Sequence, residues 1–86
     1  MVVDRHTVAS KLMAYLRHEI ALADLVDWAE TAMMDADFPE SDLPAVRDAV
    51  ARLGLADVRA FGLLWEDCEA LLRRLGYAVR LDFVAS

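Results

Sequence analysis

The residues that come nearest in type and spacing to a metal-binding loop are four carboxylates, Asp35, Asp37, Glu40 and Asp42. Calcium takes oxygen ligands from loops of this kind between two helices. A calcium loop that began at Asp35 would need glycine at its sixth position and glutamate at its twelfth, where this chain has Glu40 and Val46. We therefore expect a solvated loop whose carboxylates favour the start of the next helix, with a weak, nonspecific divalent-cation site as the alternative.

Zinc chemistry and nucleophilic chemistry lack the residue pairs that they need in this sequence. His18 and Glu19 begin like the helix motif of zinc proteases, but Leu22 occupies the position of the second histidine. The single cysteine, Cys68, falls between two carboxylates on the apolar stripe of a predicted helix, so we expect an inert thiol. We predict a protein that is not an enzyme and that binds no cofactor and no metal, since 86 residues of mainly helical chain leave little room for a substrate cleft.

Negative charge is concentrated in one part of the chain. Residues 19–42 contain eight of the fifteen Asp and Glu residues and neither Lys nor Arg, and the whole chain carries a net charge of -6. A local field of this kind attracts basic proteins and repels nucleic acid and anionic membranes. We therefore predict a basic protein as partner, and neither nucleic acid nor a membrane.

The first half of this acidic window lies on one side of the most regular helix that the sequence predicts. Helical spacing places four residues opposite the apolar side of that helix, with Met34 among them and Trp28 at the boundary. We call these six residues the acidic face: Asp24, Asp27, Trp28, Thr31, Met34 and Asp35. Tryptophan and methionine beside carboxylates are typical of protein-binding surfaces, where apolar anchors supply affinity and charge speeds the encounter. The alternative is a solvated helix face whose tryptophan folds onto a neighbouring helix.

Composition and periodicity predict the elements that must position these residues. Apolar residues make up 58% of the chain and charged residues 28%, with only three Gly and two Pro to interrupt helices. We predict one ordered, mainly α-helical domain over residues 1–86, with four helices in a compact arrangement and a minor β component. The sequence shows no leader-like or membrane-spanning apolar stretch, and its single cysteine agrees with a reducing compartment, so we expect a cytoplasmic protein.

Apolar residues at helical spacing define the four predicted helices. Helix one begins after Asp4 and ends around residues 17–19, where a continuous helix is the alternative because neither Gly nor Pro marks the end. Helix three follows a cap at Ser41 or Asp42, and Gly54 and Gly76 are expected to end helices three and four in left-handed caps. The apolar stripes of the four helices contain, in chain order, Val8, Leu12, Tyr15 and Leu16; Leu22, Leu25, Val26, Ala29, Ala32, Met33 and Ala36; Leu43, Val46, Val50 and Leu53; and Cys68, Leu71, Leu72 and Leu75.

After residue 76 the spacing of apolar residues changes from helical to alternating. The residues that would share one side of a C-terminal β-strand are Tyr77, Val79, Leu81 and Phe83. A strand needs a hydrogen-bonding partner, and we keep three candidates: Val2 with Val3, residues 57–61, or the same strand in a second copy.

Two functions from different classes fit these patterns. The first is a non-catalytic module that binds a basic protein through the acidic face, as inhibitors, antitoxins and immunity proteins of similar composition do, an analogy that rests on composition alone. The second is a structural homodimer or adaptor whose interface contains Phe61, Leu81 and Phe83, with the acidic residues serving solubility. The apolar residues around Phe61 form either that interface or a packed connection over the core.

Overall fold

Helix-forming residues with buried apolar stripes fold the chain into four α-helices. The computed structural model describes residues 2–40 and 43–80, and within these ranges the helices are α1 (Arg5–Leu16), α2 (Leu22–Asp35), α3 (Leu43–Gly54) and α4 (Trp65–Arg74). The radius of gyration is 12.7 Å, close to the roughly 12 Å expected of a folded chain of this length. The predicted mainly helical, compact arrangement of four helices is confirmed.

The first helix begins at the predicted cap. Asp4 has an extended backbone, and its Oδ1 atom accepts hydrogen bonds from the backbone N–H and from the hydroxyl of Thr7, each 2.9 Å long. The backbone bond satisfies one of the free N–H groups of the first turn. Because both bonds favour the ionised carboxylate, they lower the pKa of Asp4, with the backbone bond from Thr7 contributing most.

A histidine ends α1 in a conformation that usually selects glycine. His18 has a φ of 63°, in the left-handed region. The N–H of Glu19 donates to the carbonyl of Ala14 at 2.8 Å, and the N–H of His18 donates to the carbonyl of Tyr15 at 3.0 Å. These two bonds form a Schellman cap, so the alternative of a continuous helix through residues 17–19 is wrong.

The two glycines that were expected to end helices differ in conformation. Gly76 has a φ of 94° and closes α4, where the N–H of Tyr77 donates to the carbonyl of Leu72 at 2.9 Å, as the prediction requires. Gly54 is instead the last residue of α3 and has no positive φ. The left-handed cap predicted at Gly54 is therefore wrong, and the chain continues in a turn that buries Ala56.

The core gathers apolar residues from all four helices, and α2 packs most extensively against α3. Met33, predicted to be part of the core, is 44% exposed, because it lies at the edge of the α2 stripe beside an open pocket that Leu43 and Arg47 also line. Most of the predicted stripe residues are buried. The buried apolar residues are Val3, Val8, Ala9, Leu12, Leu25, Val26, Ala29, Ala32, Val46, Ala49, Val50, Leu53, Ala56, Cys68, Leu72 and Leu75.

Contacts between distant parts of the chain fix both ends of the described region. The N–H of Val3 donates to the carbonyl of Asp37 at 2.9 Å, and Val2 forms a parallel bridge with Asp37. At the other end, the hydroxyl of Tyr77 shares a hydrogen bond with Nδ1 of His6, and the two rings meet edge to face with their centroids 5.9 Å apart. Within the described residues, Val2 and Val3 therefore pair with the α2–α3 connection.

The C-terminal strand stays a prediction. Residues 77–80 form no strand, and Leu81 and Phe83 lie outside the described residues, as do the candidate caps Ser41 and Asp42. Residues 57–61 form turns, so the proposal that they supply a second strand is wrong. Within those turns, the N–H of Phe61 donates to the carbonyl of Val58 at 2.9 Å.

Candidate functional site

The acidic face of α2 is mostly exposed to solvent, as its position opposite the apolar stripe predicts. Asp24, Asp27, Thr31 and Asp35 are all exposed. Met34 is 79% exposed, more than any other large apolar side chain among the described residues. The acidic face therefore exposes a large apolar side chain, Met34, to solvent beside its carboxylates.

Trp28 is the exception on the acidic face, because its ring is half-buried and packs against the core. The Nζ atom of Lys11, on α1, lies 5.7 Å from the centroid of the ring, within the range of a cation–π contact. The tryptophan thus folds toward a neighbouring helix, which was the alternative to a free binding anchor. Only the part of the ring that stays accessible can take part in binding.

The three carboxylates of the acidic face differ in what they contact. Oδ2 of Asp24 accepts a hydrogen bond of 3.0 Å from the backbone N–H of Ala21 and so caps the start of α2. Asp27 and Asp35 make neither an ion pair nor a side-chain hydrogen bond with any described residue. Asp24 therefore has a structural role, and the other two carboxylates are the ones available to a partner.

A groove between α1, α4 and the chain after α4 was not expected from the sequence. Its volume is about 530 Å³, and we call it the α1–α4 groove. Its lining residues are Ala9, Met13, Leu16, Arg17, Trp65, Leu72, Tyr77, Ala78, Val79 and Arg80. The groove therefore combines apolar residues with two arginines.

Arg52 holds the connection between α3 and α4 in place. Its Nη2 atom donates to the carbonyl of Gly62 at 2.9 Å and lies 3.4 Å from Oδ2 of Asp67, and its guanidinium lies 5.9 Å from the centroid of the Phe61 ring. Asp67 in turn accepts a hydrogen bond of 2.8 Å from the N–H of Leu64 and caps α4. The Nη1 atom of Arg52 is buried and has no hydrogen-bond partner among the described residues.

The connection that Arg52 fixes presents apolar side chains to solvent. Four of them, which we call the loop patch, are exposed by 42% to 66%: Leu55, Val58, Phe61 and Leu64. Phe61 was predicted as an interface residue, and its exposure agrees with a position on the surface. Leu81 and Phe83, the other two predicted interface residues, lie outside the described residues.

The single thiol is enclosed by the core. Cys68 has no exposed surface, and burial, with a smaller contribution from the neighbouring Asp67 carboxylate, raises its pKa to about 11 against the opposing effect of Arg52. A thiol with that pKa is protonated at neutral pH and is a poor nucleophile. The predicted burial of Cys68 on the apolar stripe of α4 is confirmed.

Sequence reasoning missed the α1–α4 groove and the Arg52 contacts because both join residues on different elements. Spacing along one helix identifies its buried side, yet gives no information about which side chains of another helix lie opposite. The only sequence signal was a general one, since an arginine within a predicted apolar helix usually has a fixed partner.

In comparisons with known proteins, no family model, no curated protein and no solved structure matches this chain. Within residues 2–40 and 43–80, no group of three or more His, Cys, Asp or Glu side chains is arranged to hold a metal ion. In the same part of the chain, no helix is both long and apolar enough to cross a bilayer.

Proposed function

We propose that this chain is a non-catalytic protein-binding module whose acidic face meets a basic surface on another protein. The observation that carries the proposal is Met34, 79% exposed on the same helix face as Asp27 and Asp35. An exposed apolar side chain supplies affinity when a partner covers it, and the adjacent carboxylates attract a partner of opposite charge. Because the net charge of the chain is -6, the long-range field also favours basic partners.

The experiment begins with a photo-crosslinking amino acid at position 34 in living cells, followed by identification of the captured protein. The purified partner is then tested against a variant with Asp27→Arg and Asp35→Arg, which leaves the helix cap at Asp24 intact. We expect the association rate to fall by about tenfold or more at low salt, because attraction becomes repulsion. The Met34→Ser variant should instead dissociate faster, because it removes the apolar anchor and keeps the charge.

The matched control carries Glu19→Arg and Asp57→Arg, an equal change of charge at two exposed positions outside the acidic face. Its association rate should fall much less than that of the Asp27→Arg, Asp35→Arg variant. A captured partner with an acidic surface, or equal rates for the two charge variants, would contradict the proposal.

A second candidate function, a homodimer or adaptor, is favoured by the loop patch. Contiguous exposed apolar residues often mark association sites in small proteins. Here the guanidinium of Arg52 lies 5.9 Å from the centroid of the Phe61 ring, a contact that favours one position of the ring and so reduces the entropy lost when a partner covers it. In this candidate a second copy of the chain covers the patch.

Sedimentation equilibrium over a range of protein concentrations tests this second candidate. The wild-type chain should dimerise and the Phe61→Ser variant should not, whereas Met34→Ser, which removes an exposed apolar side chain outside the loop patch, should dimerise like wild type. A wild-type chain that stays monomeric at every concentration would exclude the homodimer.

A further inference from the structure

The described lining of the α1–α4 groove contains apolar residues and two arginines but neither Asp nor Glu. Met13 and Leu16 of α1 and Trp65 and Leu72 of α4 form apolar walls, and the volume of about 530 Å³ falls in the range of small-molecule sites, roughly 300 to 1,000 Å³. Trp65 is half-buried and Met13 is 41% exposed, so ligand atoms could reach both side chains.

Two arginines line the same groove in a chain whose overall charge is negative. Arg17 is the C-cap residue of α1, and Arg80 lies in the chain after α4. Both are exposed, and neither forms an ion pair with a described residue, whereas Arg52, Arg73 and Arg74 each pair with a carboxylate. Guanidinium groups bind carboxylates through charge-assisted hydrogen bonds, which are stronger than neutral ones.

We propose that the α1–α4 groove binds a linear, medium-chain aliphatic carboxylate, with the alkyl chain against Trp65 and Leu72 and the carboxylate at Arg17 and Arg80. Charge complementarity selects the head group, because an aliphatic cation would meet two positive charges. The apolar walls select the tail, because a short polar anion would leave them in contact with water. This site is separate from the acidic face, so the inference does not rest on the protein-binding function proposed above.

Calorimetry of the full chain with decanoate below its micelle concentration tests the proposal. We expect saturable binding of one decanoate per chain, and binding of dodecanoate tighter by about tenfold, since each buried methylene tightens binding by roughly two- to fourfold. Acetate, which lacks the tail, and decyltrimethylammonium, which reverses the head-group charge, should each bind at least about tenfold more weakly than decanoate. In a Trp28→Phe variant, the emission of Trp65 should shift to the blue as decanoate binds.

The decisive variant carries Arg17→Gln and Arg80→Gln, and its matched control carries Arg47→Gln and Arg59→Gln at exposed positions outside the groove. The first variant should lose about tenfold in affinity for decanoate and keep the wild-type helix content, while the control binds like wild type. Arg80→Gln alone serves as the milder version if the double variant fails to fold.

Several results would overturn the assignment. They are the absence of saturable decanoate binding, binding of more than one decanoate per chain, and an affinity for decyltrimethylammonium equal to that for decanoate. An equal loss of decanoate affinity in the groove variant and in its control would also overturn it. A chain that is already dimeric before decanoate is added, with Trp65 shielded in the dimer, would show instead that a second copy covers the groove, and would overturn it as well.

Discussion

The guanidinium of Arg52 and the carboxylate of Asp67 lie 3.4 Å apart and join α3 to the first turn of α4. Asp67 at the same time caps α4, and Arg52 at the same time binds the carbonyl of Gly62. One ion pair thus fixes the end of one helix, the start of the next and the connection between them. Because only about a quarter of the Arg52 side chain is exposed, water screens this pair less than it screens a fully exposed one.

Replacing Arg52 should therefore lower stability measurably. We expect Arg52→Ala to reduce the free energy of unfolding by about 2 kcal/mol, because the Gly62 carbonyl loses a charged donor and Asp67 loses its counterion. Arg52→Lys should restore only part of that loss, since one ammonium group cannot reproduce the guanidinium contacts. Urea denaturation measures both changes.

The exposed ion pair between Arg74 and Asp48, 2.6 Å long, provides the comparison. Arg74→Ala should cost less than about 1 kcal/mol, because both side chains are more than half exposed. Equal effects of Arg52→Ala and Arg74→Ala would contradict the role assigned to Arg52.

The left-handed conformation of His18 predicts a stabilising substitution. At a φ of 63° a residue with a Cβ atom is strained, and glycine is not. We expect His18→Gly to raise the free energy of unfolding by about 0.5 to 1 kcal/mol, and His18→Ala to give no such gain because alanine keeps the Cβ atom. Thermal unfolding of the two variants side by side would decide; a gain for alanine equal to that for glycine would show that the imidazole, and not the backbone, carries the cost.

The cap at Asp4 predicts a loss of stability in acid. Since the folded chain lowers the pKa of this carboxyl, its contribution is complete above the pKa of the unfolded chain and disappears as the pH falls through the lower folded value. The difference in unfolding free energy between wild type and Asp4→Ala should therefore shrink toward acid pH. The difference in unfolding free energy between Asp4→Asn and Asp4→Ala should not change with pH in this way, because asparagine keeps an oxygen acceptor that does not titrate. If the difference in unfolding free energy between wild type and Asp4→Ala stayed constant as the pH fell, the ionised cap would be excluded.

Cys68 should be protected from thiol reagents in the folded protein. A pKa of about 11 against an ordinary value of 9.0 lowers the thiolate fraction by about a hundredfold near neutral pH, and complete burial lowers access further. Reaction with a chromogenic disulfide should be slow in buffer and fast in urea. Because the chain has one cysteine, the signal has a single source. Rapid labelling without denaturant would contradict the buried position.

The helices were predictable where local sequence and tertiary packing agree. The side chain of Asp4 favours a helix start, and the conformational freedom of Gly76 favours a helix end. In the folded chain α1 begins after Asp4 and α4 closes at Gly76. At Gly54 the two disagree: glycine permits a left-handed cap, but burial of Ala56 favours one more helical residue followed by a turn. At His18 the backbone bonds of a Schellman cap end α1 although neither Gly nor Pro marks the position in the sequence.

The candidate sites were predictable to different degrees. Periodicity alone places Asp27, Met34 and Asp35 on the outside of α2, because one helix has one buried side. The contact of Trp28 with Lys11 and the joining of Arg17 and Arg80 in one groove depend on how separate elements lie against each other. That arrangement is determined by the core as a whole, and a single sequence carries no direct sign of it.

The hydrogen bond between His6 and Tyr77 joins residues 71 positions apart in an 86-residue chain. A contact of that span closes nearly the whole chain into a loop, and its entropy cost is met only after the intervening helices have packed. Tyr77 also lines the α1–α4 groove, so the shape of the groove depends on the closure of this long loop.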